Sequence, residues 1–140
     1  MYRKILVALD HTCADDSLLP HVAQLAGLCG ASLLLVHVAD GWVARRYATT
    51  NLAESEEMRE DGAYLDRRRK ELSAQGLRVE SRLAMGEPSA EILKVGDEAQ
   101  CDLIAMTTHG HRLIGDIFYG STIEKVRHKT CIPLLIVRAK

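Results

Sequence analysis

The sequence predicts an α/β fold, a doubly wound, five-stranded parallel sheet with helices on both faces. Three observations predict it. Short, continuous apolar runs recur along the chain, as strands buried on both faces require. Segments of helical periodicity separate these runs. Strands that alternate with helices join by right-handed crossovers into a parallel sheet. No internal repeat, low-complexity segment or linker interrupts the order, so residues 1–140 read as one domain.

The elements follow in order. Ile5-Leu6-Val7-Ala8-Leu9 is the first buried strand and ends at Asp10. Residues 14–29 carry Leu18, Val22, Leu25, Ala26 and Cys29 on one helical stripe. Asp15 and Asp16 suit that helix's start, Gly30 suits its end, and Pro20 bends it or falls in its first turns. Leu33–Val38 is a second buried strand. Residues 39–52, with Trp42, Arg45, Arg46 and Tyr47, read as irregular. Residues 53–75 form a long charged helix with Met58, Leu65 and Leu72 inward, stopped by Gly76. Leu77–Ala84 alternates apolar and polar residues, as a half-exposed edge strand does. Gly86-Glu87-Pro88 is a turn that places Pro at a helix start, and Ala90, Ile92, Val95 and Ala99 continue that helix. A strand at 102–106, a glycine-flanked loop, a helix at 120–129 and a last strand at 134–137 complete the chain.

Composition sets bounds on function. Hydrophobic residues at 47% supply a core without disulfide or metal staples, and aromatics at 4% leave that core to Leu, Ile, Val and Ala. A net charge of −1 gives no general attraction for nucleic acid. The basic run Arg67-Arg68-Arg69-Lys70 is interleaved with acids and reads as a solvated, ion-paired helix face. No apolar run approaches the roughly 20 residues of a membrane span, and Met1–Ile5 has no signal-peptide h-region. A cytoplasmic location is therefore expected. Cys13, Cys29, Cys101 and Cys131 form no C-x-x-C pair and read as small buried hydrophobes in a reducing compartment.

The segment richest in chemistry is Thr107-Thr108-His109-Gly110, followed after nine residues by Gly120-Ser121-Thr122. A strand, a loop with glycine at both ends and a helix whose first turn holds hydroxyl residues suit a phosphate. The first N–H groups of a helix lack partners, and its dipole is positive there. Gly110 and Gly120 let backbone approach an anion, while Ser121 and Thr122 add hydroxyl donors. Ligands in such sheets bind where strand order reverses, which gathers Asp10, Val38 and Met106 to Gly110 at one edge. Asp10 reads as a ribose acceptor, a helix N-cap or a local turn residue. His11, His109 and His111 are weak candidates for zinc. Asp116 is a weak candidate for Mg²⁺, and Arg112 for a phosphate contact. His37 reads as a hydrogen-bonded core histidine. No nucleophile elbow, Walker lysine or G-x-G-x-x-G is present, so no catalytic set is assigned.

The chain resembles the universal stress protein family along essentially its whole length. The resemblance rests on Lys4–Asp10, Leu35-Val36-His37-Val38, Gly86-Glu87-Pro88, Gly110 with its nine-residue gap to Gly120-Ser121, and Pro133–Val137. The family's motif is G-x-x-G, nine residues, then G-S/T, and Thr107 here replaces its first glycine. A β-branched residue disfavours positive φ. Thr107 either narrows the approach to the ligand or supplies a hydroxyl contact. The resemblance implies a Rossmann-like, adenine nucleotide alpha-hydrolase-like fold. It also implies ATP or a related adenine nucleotide, with or without Mg²⁺, in a stress-response regulatory module. By position, Ala8, Leu9 and Asp10 would line adenine and ribose, and Val38 would meet the adenine. Met106, Thr107, His109 and Gly110 would flank ribose and phosphates, and Gly120, Ser121 and Thr122 would hold the phosphates. A homodimer through strand 134–137 is also implied. Two alternatives stand beside this reading: a slow ATPase, with His109 as base, and a nucleotide-free dimeric interaction protein.

Overall fold

The computed structural model describes the backbone of residues 1–40, 51–108 and 116–140, and the side chains of these except 40, 51–55 and 116–120. The elements are β1 (Lys4–Leu9), α1 (Asp15–Cys29), β2 (Ser32–Asp40), α2 (Asn51–Ser73), β3 (Val79–Gly86), α3 (Pro88–Glu98), β4 (Leu103–Thr108), α4 (Asp116–Lys129) and β5 (Leu134–Arg138). The sheet order is β3-β2-β1-β4-β5, and every neighbouring pair is parallel. The expected doubly wound five-stranded sheet is therefore the observed fold.

Side-chain alternation along β1 divides the core in two. Ile5, Val7 and Leu9 join Leu33, Leu35, Leu103 and Ala105 beneath α1 and α2, against Leu18, Val22, Tyr64, Leu65 and Leu72. Leu6 joins Leu34, Val36, Ile104 and Met106 on the other face, against Ile92, Val95 and Val126 of α3 and α4. The period of a strand is two residues, so a continuous apolar run can serve both layers. Burying each such Leu or Ile side chain contributes about 1.5–3 kcal/mol.

Element ends follow local chemistry. Gly30 closes α1 at φ 66°, a left-handed conformation that costs glycine little. Pro88 occupies the first turn of α3, where its missing N–H is no loss, and Glu87 caps the helix by accepting from the Ala90 N–H. β3 is an edge strand, as its alternation predicts, with Glu80, Ser81 and Arg82 exposed.

Several expectations need correction. Residue 40 is still strand and residues 51–52 are already helix, whereas 41–50, with Trp42, Arg45, Arg46 and Tyr47, lie outside the described residues. The buried residues of α3 are Ser89, Ile92, Val95 and Gly96. Capping at Glu87 sets the rotation that turns Ser89 inward. α4 starts at Asp116 rather than at Gly120. An acidic residue type suits a helix start, and a glycine inside a helix costs only about 1 kcal/mol, so Gly120 does not end it. Only Cys101 is buried; Cys13 and Cys131 are exposed and Cys29 is intermediate, and none is disulfide-bonded. Among the described residues, no helix is long and apolar enough to cross a membrane.

Candidate functional site

The sheet opens where its order reverses. β1 and β4 pair only from Ile5↔Leu103 to Val7↔Ala105. β1 continues beside β2 to Leu9↔His37, and β4 continues beside β5 to Thr108↔Arg138. The carboxyl ends of β1 and β4 therefore diverge, and a cleft of about 460 Å³ fills the gap. Past His37, β2 pairs only with β3, so Val38 borders the same opening. A crevice at this point is the usual ligand position in an open α/β sheet.

Most of the residues singled out in the sequence meet here. Ala8, Leu9, Asp10, Val38, Met106, Thr107, Ser121 and Thr122 all line the cleft. Thr107 lies within β4, is 5% exposed and pairs with Val137, so its extended backbone accommodates a β-branched residue. Ser121 and Thr122 face the cleft from beyond the first turn of α4 and do not cap the helix. The unpaired N–H groups of that helix start accordingly precede Gly120. His109, Gly110, His111 and Arg112 lie outside the described residues, and Gly120 and Asp116 are described as α4 backbone only.

Sequence reasoning missed Ile92, Glu87 and Lys125, which also line the cleft. Ile92 adds to an apolar wall with Ala8, Val36, Val38 and Met106. Lys125 Nζ lies 3.3 Å from Glu87 Oε1, joining α4 to α3 at the mouth. Burial works against the Glu87 anion, but hydrogen bonds from Ser89 Oγ, the Ala90 N–H and Lys125 hold its carboxyl down at about 2. The one available signal was spacing: Ser121 and Lys125 are four apart and share a helix face.

Asp10 is 8% exposed and sits in a turn rather than at a helix cap. Its Oδ1 accepts from the Thr12 N–H at 3.0 Å and from Thr12 Oγ1 at 2.6 Å. The next residue, His11, has φ 62°. Asp15, wholly buried, secures both: it accepts from the Asp10 N–H at 3.1 Å and the His11 N–H at 3.0 Å. Tyr64 Oη donates to Asp15 Oδ2 at 2.5 Å. Burial pushes the Asp15 carboxyl up to about 6, against the Tyr64 hydrogen bond. Burial and the Asp15 carboxylate together push the Tyr64 phenol up.

The His11 ring stacks on Tyr64 at 4.0 Å between centroids, and its Nδ1 lies 2.6 Å from Asp61 Oδ1. His37 donates through Nδ1 to the Leu9 carbonyl at 2.9 Å and turns Nε2 toward Asp61 Oδ2 at 3.5 Å. His37 is thus a hydrogen-bonded histidine at the core edge. His11 is engaged with Asp61, while the other two zinc candidates lie outside the described residues. The basic run is ion-paired with Asp66 and Glu71, although Arg68 turns inward to Asp16 instead of facing solvent.

Chemically, the cleft combines an apolar slot, a buried carboxylate at the end of β1, and hydroxyls with one ammonium on α4. Such a site suits a ligand with a flat apolar part, hydroxyl groups and negative charge.

Comparison with known proteins agrees with this fold. The chain is similar to the universal stress protein MJ0577 of Methanocaldococcus jannaschii, 27% identical over 157 residues that span 100% of this chain and 97% of that protein. A solved structure of MJ0577 matches with a TM-score of 0.86 at 29% identity, covering 100% and 98% of the two chains. Two more distant structures share the fold. One is a universal stress protein in complex with cAMP (TM-score 0.71, 21% identity, 99% and 98% covered). The other is a universal stress protein from Archaeoglobus fulgidus in complex with dAMP (TM-score 0.72, 22% identity, 97% and 98% covered). The model of the universal stress protein family matches residues 1–138, and the chain belongs to that family.

Proposed function

We propose that the cleft binds an adenine nucleotide, ATP first among them, and that the protein acts as a dimeric, nucleotide-dependent regulatory module in a stress response. The observation that carries this is the crevice between β1 and β4, with an apolar slot, the buried Asp10 and the hydroxyls of Ser121 and Thr122 around one opening. Adenine fits an apolar slot, ribose hydroxyls donate to a carboxylate, and phosphates accept from hydroxyls. Relatives in complex with cAMP and dAMP support the same ligand class. The reading is one of binding rather than turnover.

The dimer is proposed through β5. β5 is an outer strand of the sheet, and Ile136 on it is 39% exposed. Unpaired strand edges favour association, and a two-fold axis would pair two copies.

Mass spectrometry of ligand released from freshly purified, heat-denatured protein, alongside an ATP titration, tests the nucleotide reading. Recovered adenine nucleotide or saturable binding is expected, with slower hydrogen exchange over residues 107–120 at saturating ATP. No ligand and no titratable binding, with dimers intact, would favour the nucleotide-free interaction protein instead.

A further inference from the structure

We propose that Lys125 is the residue by which the cleft selects for ligand charge, and that Glu87 competes with the ligand for it. The inference deepens the nucleotide reading above and rests on it.

The cleft's described charges are unevenly placed. Asp10 and Glu87 are the carboxylates that line it, and Lys125 is the ammonium. A phosphate entering such a mouth meets two negative groups, and a nearby cation must offset them. Glu87 is fixed. Its Oε2 accepts from Ser89 Oγ at 2.5 Å and from the Ala90 N–H at 2.8 Å, so it is anchored to the first turn of α3. Those donors help keep it ionised. Among the described residues, Lys125 donates to Glu87 Oε1 at 3.3 Å, and its side chain is 52% exposed. Its long stem is therefore the adjustable half of the pair.

Position on α4 gives that freedom a direction. Ser121 lies one turn before Lys125 on the cleft side, about 6 Å away along the axis, and both line the opening. A lysine stem spans a comparable distance. The ammonium can therefore face Glu87, or a phosphate resting near Ser121, without any change in backbone. The pair keeps Lys125 at the mouth, and each added ligand charge strengthens the competing contact.

The two side chains then have opposite effects on affinity, which a purely structural bridge between α3 and α4 would not show. Binding of adenosine, AMP and ATP is measured by calorimetry for the parent, Lys125→Met, Lys125→Arg and Glu87→Gln, with thermal unfolding of each as a check on folding. Lys125→Met is expected to weaken ATP about tenfold and to leave adenosine unchanged. Lys125→Arg should retain the parent's preference. Glu87→Gln, which keeps a carbonyl acceptor for the α3 cap, should tighten ATP severalfold. Unchanged ATP affinity in Lys125→Met overturns the assignment. So does equal weakening by Lys125→Met and Glu87→Gln, or equal loss of adenosine and ATP. If the parent binds none of the three compounds, the nucleotide reading itself fails and takes this assignment with it.

Discussion

Replacing Tyr64 by Phe should destabilise the protein by an amount that grows with pH, because the lost hydroxyl serves a buried carboxylate whose charge changes in an accessible range. Asp15 is wholly buried and accepts from two backbone N–H groups and from Tyr64 Oη. Burial pushes its carboxyl up from the ordinary 3.8 to about 6. The folded value is raised, so this group contributes most to stability below about pH 4. That contribution is lost as pH rises through about 6. That rise corresponds to roughly 3 kcal/mol across the window. Tyr64 limits the loss, since its hydroxyl donates to the ionised form and pulls the Asp15 value down.

Without the hydroxyl, the charged form loses a hydrogen bond worth about 1.5–3 kcal/mol, whereas the neutral form loses one worth about 0.5–1.5 kcal/mol. The cost of Tyr64→Phe should therefore be about 1 kcal/mol larger at pH 8 than at pH 4.5. Urea unfolding of parent and variant at both pH values measures the difference, and shared titrations cancel between the two proteins. A cost that is the same at both pH values, or larger at pH 4.5, would refute the assignment of Asp15 as a buried, titrating acceptor for Tyr64.

Two further outcomes test the packing. His11 has φ 62°, a conformation that costs a residue with a Cβ about 1–2 kcal/mol, so His11→Gly should be roughly 1 kcal/mol less destabilising than His11→Ala by thermal unfolding. Leu6 is 0% exposed and its Cδ1 would lie 3.7 Å from a Cβ built on Gly96, so Leu6→Ala leaves a cavity between β1 and α3. The expected cost is about 3–4 kcal/mol in urea unfolding.

Much of this architecture was legible because it depends on short-range pattern. The run Ile5–Leu9 names its own strand, and the alternation of Leu77–Ala84 names an edge. The order of such elements then puts Asp10, Val38 and Met106 at one opening, without any contact having been foreseen. What stayed hidden depends on the rotation of helices and on long loops. Tyr64 and Asp15 are 49 residues apart, and Lys125 and Glu87 are 38 apart. Nothing local distinguishes Tyr64 from an ordinary inward aromatic, or Asp15 from an acid at a helix start. Gly120 resembled a helix boundary although the chain is helical on both sides of it.

The β1–α1 turn explains why groups remote from the cleft still matter to it. One side of that turn presents Asp10 to the opening. The other side is tied down by Asp15, and through His11 by Tyr64 and Asp61 of α2. A left-handed His11 is costly on its own and persists only where surrounding contacts determine it. Here the buried carboxylate offsets that cost by satisfying the two successive N–H groups that the turn exposes. A ligand that uses Asp10 thus meets a carboxylate already in position, and little ordering free energy is lost when it binds. α4 works differently. Beside the Ser121 and Thr122 hydroxyls it brings a half-exposed lysine on a long stem, so one wall of the cleft is fixed by buried hydrogen bonds and the other carries an adjustable charge. Under the proposed reading, the fixed wall recognises a ligand's uncharged part and the adjustable charge reads its phosphate number.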